Sequence, residues 1–413
     1  MKQLSIKKIL KFIFRGILIF IGFVFLLLLV IGFRVEHQDG TYDNWSGLRA
    51  LFQKDRDFGI FLNQQEKYEL NGIDGPYLVN SSIYRVDSIN NVLKTSFKDS
   101  DSILVQVNNN DLDTFYFKKR DSITRNSHHY KTPEKLIAIS DIEGNFNGFS
   151  SFLQNNQVID KKFNWIFGSG HLVLVGDFVD RGNNVVPVLW LIYKLEEQAE
   201  KKGGKVHYIL GNHELLNFQG RYKYNDRKYV KIAQLIYNNE NYKNAVKFMY
   251  STETELGKWL HSKNGIEKIG DYIFVHAGLS PKILKFKPTI TKINEIARNH
   301  WNKDLYNEPE NDDLANFLIG PEGIFWYRGF AMDYKYYDKI TEKELDQILL
   351  FYQAKKIIFG HSVVDDIKKD FNGKIIAIDV KHSQEKNSEK TKGLLIENGI
   401  EYKLDGKGNK TKL

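Results

Sequence analysis

The pattern of apolar and polar positions divides the chain into three parts. An uncharged apolar stretch runs from Gly16 to Phe33, short alternating runs follow up to about residue 130, and apolar runs then alternate with amphipathic segments. The first stretch has eighteen residues, which is about the minimum that crosses a hydrocarbon core roughly 30 Å thick. A helix of a soluble protein shows a polar face, and this stretch has none. Residues 1–33 are therefore predicted to be a cytoplasmic flank followed by a transmembrane anchor.

Charge on either side of the apolar stretch predicts the orientation of the helix. Five basic and no acidic residues precede it, namely Lys2, Lys7, Lys8, Lys11 and Arg15. Arg34, Glu36 and Asp39 follow it. The positive-inside rule then leaves the N-terminus in the cytoplasm and the rest of the chain on the extracytoplasmic or periplasmic side of the inner cell membrane. A cleaved signal peptide is the alternative, but no small-x-small cleavage site follows the stretch, so we expect an uncleaved single-pass anchor.

Composition narrows the classes of function. The formal net charge is +8, of which the five basic residues before the apolar stretch supply +5, leaving +3 for the rest of the chain. This small excess does not indicate a nucleic-acid partner, and none is expected. The chain has no cysteine, which excludes disulfide bonds, thiolate metal ligands and cysteine nucleophiles.

Residues 34–130 carry no catalytic pattern. Alternating runs such as Asp101–Val107 and Asp113–Lys118, separated by Asn- and Asp-rich turns, are typical of hairpin strands. This part of the chain is predicted to be a small β-rich extension.

Residues 131–413 are predicted to form an α/β domain. Its apolar runs are short, rich in β-branched residues and bounded by Gly, Asp or His, which is typical of buried strands. The predicted strands are Leu136–Ile139, His171–Val175, Val206–Leu210, Tyr272–Val275, Ile357–Phe359 and Ile375–Ile378. Helical patterns such as Val185–Lys202 and Tyr229–Tyr250 lie between them, and residues 215–263 are predicted to form a helical cap or side wall. The fold class is therefore α/β, with central sheets flanked by helices.

Five of these six strands end in potential metal ligands. The motifs are, in chain order, Ser140-Asp141-Ile142-Glu143-Gly144-Asn145, Gly176-Asp177-Phe178-Val179-Asp180-Arg181-Gly182, Gly211-Asn212-His213-Glu214, His276-Ala277-Gly278 and Gly360-His361-Ser362. Ligands of open α/β sheets gather at the carboxyl ends of the strands. Each motif alone is weak, because Asp-x-Glu commonly caps a turn or helix and a buried His commonly makes an ordinary hydrogen bond. All five together indicate one site.

This set of motifs resembles the calcineurin-like metallophosphoesterase superfamily, in particular the phosphoprotein-phosphatase type with its GDxxDRG and GNHE blocks. The stretch Glu255–Gly278, followed by Trp326-Tyr327-Arg328-Gly329 and Gly360-His361, is most similar to the bacterial Shewanella-like branch. The resemblance covers about Leu136 to Asp379 and implies the layered metallophosphoesterase fold. It does not extend to the apolar stretch or to residues 34–130.

The resemblance implies two divalent cations, roughly 3.5–4 Å apart, that bridge an attacking hydroxide and hold the phosphoryl oxygens. The implied ligands are Asp177 as the bridge, Asp141 and Glu143 for one cation, and Asn212, His276 and His361 for the other. Carboxylates, amide oxygens and neutral imidazoles suit hard or borderline cations, so the residue types agree.

The resemblance also implies the residues that act on the phosphate. His213 is expected to be the general acid, with Asp180 holding its imidazole in the protonated tautomer. Arg181 and Arg328 are expected to clamp the phosphate, with structural ion pairing as the alternative for both. Glu214 is expected to orient its neighbours. Weaker candidates for the rim of the site are His382 and Arg221.

Glu143 departs from the family, whose first motif is normally Asp-x-His. With Glu at this position the first cation has only oxygen ligands, which favours Mn²⁺ first, and Fe²⁺ or Mg²⁺ over Zn²⁺. The alternative is that Glu143 only caps the helix predicted to begin near Phe146.

The function predicted from these residues is hydrolysis of phosphate monoesters, including those on phosphoproteins. A GDxxDRG-type site also serves hydrolases of dinucleotide polyphosphates and other small molecules, which gives a second hypothesis. A third is a metal-poor pseudophosphatase that binds phosphorylated partners, which only Glu143 favours.

Overall fold

A computed structural model of the protein describes residues 6–37, 41–52, 58–65, 70, 72–98 and 101–413. Two residues used above to predict the orientation of the helix, Lys2 and Asp39, lie outside these described residues.

The chain divides into two compact units. These are Met1–Tyr68 with Glu240–Tyr242, and Glu69–Asn239 with Lys243–Leu413, as far as each is described. The domain boundaries at residues 33 and 130 remain a prediction; the second unit contains the later part of the predicted β-rich extension together with the five motifs.

The first unit contains the apolar helix and a small sheet. Its elements are helix α1 (Ile6–Ile31), strands β1 (Phe33–Glu36), β2 (Thr41–Trp45) and β3 (Ile60–Gln65), which are antiparallel in that order, and a 3₁₀ turn at Leu48–Phe52. The Trp45 indole N–H donates to the Leu29 carbonyl at 3.1 Å. Within the described residues, Leu10–Ile31 is the one helix long and apolar enough to cross a membrane. Its length and composition fit a membrane span or a signal sequence.

Two six-stranded sheets form the centre of the second unit. The first consists, in spatial order, of β12 (Lys205–Ile209), β11 (His171–Val175), β10 (Lys135–Ile139), β18 (Lys392–Glu397), β19 (Ile400–Asp405) and β20 (Lys410–Lys412). The second consists of β16 (Lys368–Asp370), β17 (Ile375–Ala377), β15 (Lys356–Phe359), β14 (Tyr272–Val275), β13 (Ile266–Ile269) and β9 (His129–Tyr130). Strands β10, β11 and β12 are parallel, as are β14, β15 and β17. In each sheet, therefore, three neighbouring strands end at the same edge.

These strands are buried on both faces. Leu136 and Val173 of the first sheet share one core cluster with Phe274 and Ile358 of the second. Ile137 points to the opposite face of its strand and is only 1% exposed. Burial on both sides explains why the strands appear in the sequence as nearly continuous apolar runs rather than as alternating ones.

Helices connect the strands and flank the sheets. They are α2 (Phe146–Asn155), α3 (Val185–Lys201), α4 (Asn212–Phe218), α5 (Arg227–Tyr237), α6 (Tyr242–Met249), α7 (Glu255–Leu260), α8 (Ile283–Phe286), α9 (Ile290–His300), α10 (Asp313–Ile319) and α11 (Glu342–Phe351), with 3₁₀ turns at Tyr222–Tyr224 and Phe371–Gly373. The helical pattern over Tyr229–Tyr250 corresponds to two helices, because Asn238 ends α5 in the left-handed conformation with φ 53°. The predicted α/β fold with sheets flanked by helices is confirmed.

The later part of the predicted extension packs on α3. Its strands are β4 (Asp74–Val79), β5 (Ser82–Val86) and β6 (Val92–Ser96), which form one antiparallel sheet, and β7 (Ser102–Gln106) and β8 (Thr114–Lys118), which form a hairpin. The Trp190 indole donates to the Pro76 carbonyl at 2.8 Å and stacks on the Phe117 ring with centroids 4.0 Å apart. These contacts place the predicted hairpin strands against the domain that carries the motifs.

Candidate functional site

The parallel strands bring residues of four motifs to the lining of one cleft of about 800 Å³, and His276 of the fifth motif is buried against Asp177. Asp141 and Asp177 each lie two residues beyond the end of their strands, β10 and β11. His276 directly follows β14, and His361 lies two residues beyond β15. Asn212, in the first turn of α4 after β12, also lines the cleft. Sheet topology thus unites residues that are far apart in the sequence.

Several site residues adopt a backbone conformation that side chains disfavour. Their φ angles lie between 48° and 71°, in the left-handed region, for Asp141, Glu143, Asp177, Asp180, Arg181 and His361. This conformation costs on the order of 1 kcal/mol or more per residue outside glycine. Hydrogen bonds between the turns hold it in place: the Asp141 N–H donates to the Gly176 carbonyl at 2.9 Å, and the Glu143 N–H donates to the Asp177 carbonyl at 2.9 Å. Six residues of the motifs thus carry backbone strain, as is common at functional sites.

Two motif glycines leave room for the acidic side chains. A Cβ atom at Gly211 would lie 2.2 Å from Oδ1 of Asp177, and one at Gly360 would lie 2.4 Å from Oδ2 of Asp141. Both distances are far below van der Waals contact, so any larger residue would displace a carboxylate. The glycines of the GNHE and GH motifs are therefore explained by packing in the site.

The donor atoms around His276 fit a cation. Its Nδ1 donates to the Val175 carbonyl at 2.8 Å. Burial lowers the pKa of His276, but the Asp177 charge outweighs burial and raises it; when a cation takes the place of the proton on Nε2, the ring presents a lone pair there. That lone pair faces Oδ2 of Asp177 at 3.1 Å and Oδ1 of Asn212 at 3.0 Å. Three electron-pair donors that converge in a buried place suit a divalent cation better than they suit one another.

His361 joins the same set of donors. Atoms of Asp177, His276 and His361 that could bind a metal all lie within 4.8 Å of one another. The Nε2 atom of His361 lies 3.2 Å from the Trp326 carbonyl, which leaves Nδ1 for a ligand. Burial, the neighbouring His276 and Arg328 hold the pKa of His361 well below its ordinary value, so this imidazole is neutral, as a metal ligand must be.

The carboxylates of the first motif also lie in the cleft. Burial and the nearby Asp379 and Asp177 carboxylates raise the pKa of Asp141 well above its ordinary value. Burial also raises the pKa of Glu143, against the opposing effect of Arg181, with which it forms an ion pair. Acidic groups that repel one another in this way are stabilised when a cation binds between them.

Glu143 does not cap the following helix. The N-cap of α2 is Asn145, whose side chain accepts a hydrogen bond from the Gly148 N–H at 2.9 Å. The alternative that Glu143 only caps this helix is therefore wrong. Its carboxylate instead lies with Asp177 and His213 in a second group of potential ligand atoms within 4.8 Å of one another.

His213 is held by a buried hydrogen-bond network. Its Nδ1 lies 2.6 Å from Oδ2 of Asp180, and Oδ1 of Asp180 accepts from the Asn217 amide at 2.7 Å and from the Asn225 amide. Burial lowers the pKa of His213, but the Asp177 charge and the Asp180 hydrogen bond outweigh burial and raise the pKa to about 9. This shift favours the protonated form of the ring, which lines the cleft.

Glu214 stabilises the turns that form the site but does not line the cleft. It is fully buried and accepts hydrogen bonds from the N–H groups of Asp177, Phe178 and Gly211 at 3.0, 2.9 and 2.7 Å, and from the Tyr208 hydroxyl at 2.9 Å. Four donors to one carboxylate fix the turn that presents Asp177.

The predicted arginines differ in their surroundings. The Arg181 side chain is 53% exposed and pairs with Glu143, with its other Nη atom 3.4 Å from Nε2 of His213. Arg328 lines the cleft and donates from Nη1 to the His361 carbonyl at 2.7 Å. Arg221 forms an ion pair with Asp304 at 3.1 Å.

The cleft also includes residues that the motifs did not indicate. Asp379 follows β17, the sixth predicted strand, and is 3% exposed. Burial raises its pKa to about 7. His382, a weaker candidate above, lies on the cleft wall with Nε2 2.9 Å from the Ser140 carbonyl. The position of Asp379 directly after a predicted strand was a signal in the sequence, whereas nothing in the sequence indicated Asn217 or Asn225.

Known proteins are similar to this chain in sequence and in fold. The family model for calcineurin-like phosphoesterases matches residues 134–365. Over 251 residues, 61% of this chain and 65% of the relative, the chain is 31% identical to Shewanella-like protein phosphatase 1 of Plasmodium berghei. Over 293 residues, 61% of this chain and 72% of the relative, it is 26% identical to Shewanella-like protein phosphatase 2 of Arabidopsis thaliana. The match thus spans slightly less than two thirds of the Plasmodium protein.

A solved structure is similar over most of the chain. The cold-active protein-tyrosine phosphatase of a psychrophilic Shewanella species has a TM-score of 0.70 and 30% sequence identity, covering 83% of this chain and 99% of that one. The resemblance and the fold expected from the sequence are confirmed.

Proposed function

The chain belongs to the calcineurin-like phosphoesterase family, and we propose that it hydrolyses phosphate monoesters in the cleft with two divalent cations bound. One observation carries this proposal. Asp177 and Asn212, whose donor atoms converge with Nε2 of His276, line the same cleft as His213, which Asp180 positions. A place where cations can bind the phosphoryl group and a residue that can donate a proton thus lie side by side.

The residues proposed to hold the cations are those with suitable donor atoms in the cleft. They are Asp141, Glu143 and Asp177 for the first, and Asp177, Asn212, His276 and His361 for the second. When bound, two such cations supply a nucleophile at neutral pH and neutralise the charge of the phosphoryl group. The oxygen-rich first set supports Mn²⁺, Fe²⁺ or Mg²⁺ ahead of Zn²⁺.

His213 is proposed to be the general acid. Its Nε2–H is the proton that the leaving oxygen needs, and the Asp180 carboxylate on Nδ1 keeps that proton available at neutral pH. The buried Asn217 and Asn225 amides fix Asp180, so the imidazole does not have to be reoriented for each turnover.

Arg181 and Arg328 are proposed to bind the phosphate. Arg181 is largely exposed, and its guanidinium lies between Glu143 and His213, so it can turn towards an incoming dianion. Arg328 is anchored through one Nη atom to the His361 carbonyl and lines the cleft, where its remaining N–H groups suit phosphate oxygens.

Phosphotyrosine in proteins is the substrate class that we propose to test first. The Shewanella structure is named a protein-tyrosine phosphatase, and both sequence relatives are named protein phosphatases. The Tyr224 ring, 40% exposed, stands edge-on to the His213 ring at 5.0 Å. The tyrosine side chain that leaves from phosphotyrosine could therefore pack against the Tyr224 ring, beside the proposed proton donor His213.

The tests of activity combine metal content with turnover. Asp177→Asn is expected to lose bound metal and to reduce hydrolysis of an aryl phosphate to background, because Asp177 belongs to both donor sets. Asp226→Asn is the matched control: Asp226 lines the same cleft and caps α5, and Asn caps a helix equally well. Activity and two equivalents of metal retained in Asp177→Asn would refute the proposal. A panel of phosphopeptides, nucleotides, dinucleotide polyphosphates and sugar phosphates then identifies the substrate class.

The apolar helix is proposed to be an uncleaved anchor in the inner membrane, with the phosphoesterase domain on the extracytoplasmic side. The basic residues before the apolar stretch support this orientation. The chain has no cysteine, so Lys355→Cys adds a single thiol at an exposed side chain of the second unit. A membrane-impermeant maleimide added to intact spheroplasts is expected to label it. Labelling only after lysis would place the domain in the cytoplasm.

A further inference from the structure

The sixth strand, β17, brings a carboxylate to the site that no motif contains. Strands β15 and β17 are parallel, with Phe359 opposite Ala377. His361 and Asp379 lie two residues beyond these partners, at the same level of the sheet edge. Both residues line the cleft.

The Asp379 carboxylate is buried without a partner. The residue is 3% exposed, and among the described residues none donates a hydrogen bond to this carboxylate or forms an ion pair with it. A buried carboxylate in this situation costs several kcal/mol unless a cation or a proton compensates it. His276 and Arg328 compensate this charge in part, and a further compensating group would have to bind in the cleft that Asp379 lines.

The surroundings of Asp379 favour a cation as this group. Asp379 lines the cleft together with Asp141, Glu143 and Asp177. Asp141 accepts a hydrogen bond from the His361 N–H at 3.2 Å. Glu143, the remaining carboxylate of the first motif, shares its charge with Arg181. Glu143 is thus a weaker ligand for the first cation because it pairs with Arg181, whereas the Asp379 carboxylate lines the same cleft as Asp141 without such a pairing.

We propose that Asp379 is a further ligand of the cation held by Asp141 and Asp177. The inference rests on the proposed two-cation phosphoesterase and adds to it a residue outside the five motifs. With Asp379 the first site has carboxylates from three strand ends, which compensates for the shared charge of Glu143. Such a site selects hard cations over Zn²⁺.

Metal binding by the full-length protein tests this assignment. Wild type, Asp379→Asn and the control Asp226→Asn are stripped with chelator and titrated with Mn²⁺ by calorimetry, and metal content is measured after dialysis. Wild type and Asp226→Asn are expected to bind two equivalents. Asp379→Asn is expected to lose one equivalent, or to bind it at least about tenfold more weakly, while the other equivalent is unchanged.

A second variant distinguishes a ligand from a packing role. Asp379→Glu keeps a carboxylate, so it is expected to restore the second equivalent, whereas a residue needed only for packing would be disturbed by the longer side chain at least as much as by Asn. Two unchanged equivalents in folded Asp379→Asn, or the same loss in Asp379→Glu, would overturn the inference. Wild type that binds no metal would instead refute the proposed function, which keeps the two failures separate.

Discussion

Asp180→Asn separates proton donation from the other contributions to hydrolysis. Three donors converge on the Asp180 carboxylate: Nδ1 of His213 at 2.6 Å, the Asn217 amide at 2.7 Å and the Asn225 amide. An Asn side chain has one acceptor oxygen and one NH₂ group, so it cannot accept from all three. Position 180 has φ 71°, which Asn tolerates, so the backbone should be unchanged.

The expected magnitude follows from the pKa of His213. Asp177 and Asp180 outweigh the effect of burial and raise it to about 9 from the ordinary 6.5, a difference worth about 3 kcal/mol between the two protonation states. Without the Asp180 charge the pKa falls, so less of the acid form remains at neutral pH. General acid catalysis contributes roughly 10²- to 10⁴-fold, and kcat is expected to fall within that range for a poor leaving group.

The assay compares two leaving groups across pH. Nitrophenyl phosphate needs little protonation of its leaving oxygen, whereas an alkyl phosphate needs it fully. Asp180→Asn should therefore slow the alkyl ester far more than the nitrophenyl ester, and the basic limb of the kcat/KM profile should move to lower pH. Equal losses for both esters, with an unmoved basic limb, would show that His213 is not the general acid. Asp226→Asn should leave both quantities unchanged.

Three further predictions concern metal choice, acid stability and packing. Glu143→His should move the preferred cation towards Zn²⁺, as measured by metal competition, because imidazole suits zinc better than carboxylate does. Burial raises the pKa of Glu196, but Lys263 outweighs burial and lowers it to about 2 from 4.5. A carboxyl group with a lowered folded pKa stabilises the native state above its unfolded pKa, so about 3 kcal/mol should be lost between pH 4.5 and about 2, and the Tm difference between wild type and Glu196→Gln should shrink over that range. Trp190→Ala, which removes a fully buried ring stacked on Phe117, should lower the unfolding free energy by about 3–5 kcal/mol in denaturant titration; a loss below 1 kcal/mol would contradict the packing.

Local patterns were enough to predict the secondary structure of the α/β domain. The six predicted strands agree with β10, β11, β12, β14, β15 and β17 to within one residue at each end. These runs are apolar because both faces of each strand are buried, and they stop abruptly because polar, turn-forming residues follow. The break at Asn238 was harder to predict, since the apolar spacing of α5 continues into α6 and only four residues, of which Asn238 is left-handed, separate the helices.

The family and the fold could be predicted for a similar reason. Each motif is a short contiguous run of residues. It combines a polar residue at the end of a strand with a glycine that packing requires, as at Gly211 and Gly360. The roles of the site residues remain predictions, and the structure adds the geometry that makes them testable. It shows that Glu143 pairs with Arg181 and that Asn145, not Glu143, caps α2.

The sequence by itself determined the apolar helix, the buried strands and the order of the motifs, because each depends on residues that are neighbours along the chain. Only the tertiary structure decided which side chains share a hydrogen bond or a cleft. Asn217 and Asn225 lie on helical or loop segments without any distinctive pattern, yet both contact Asp180. Asp379 reaches the cleft because β17 pairs with β15 in one particular register. Such contacts depend on how sheets align and pack, and the free energy that sets this alignment comes from the whole core rather than from any local run of residues.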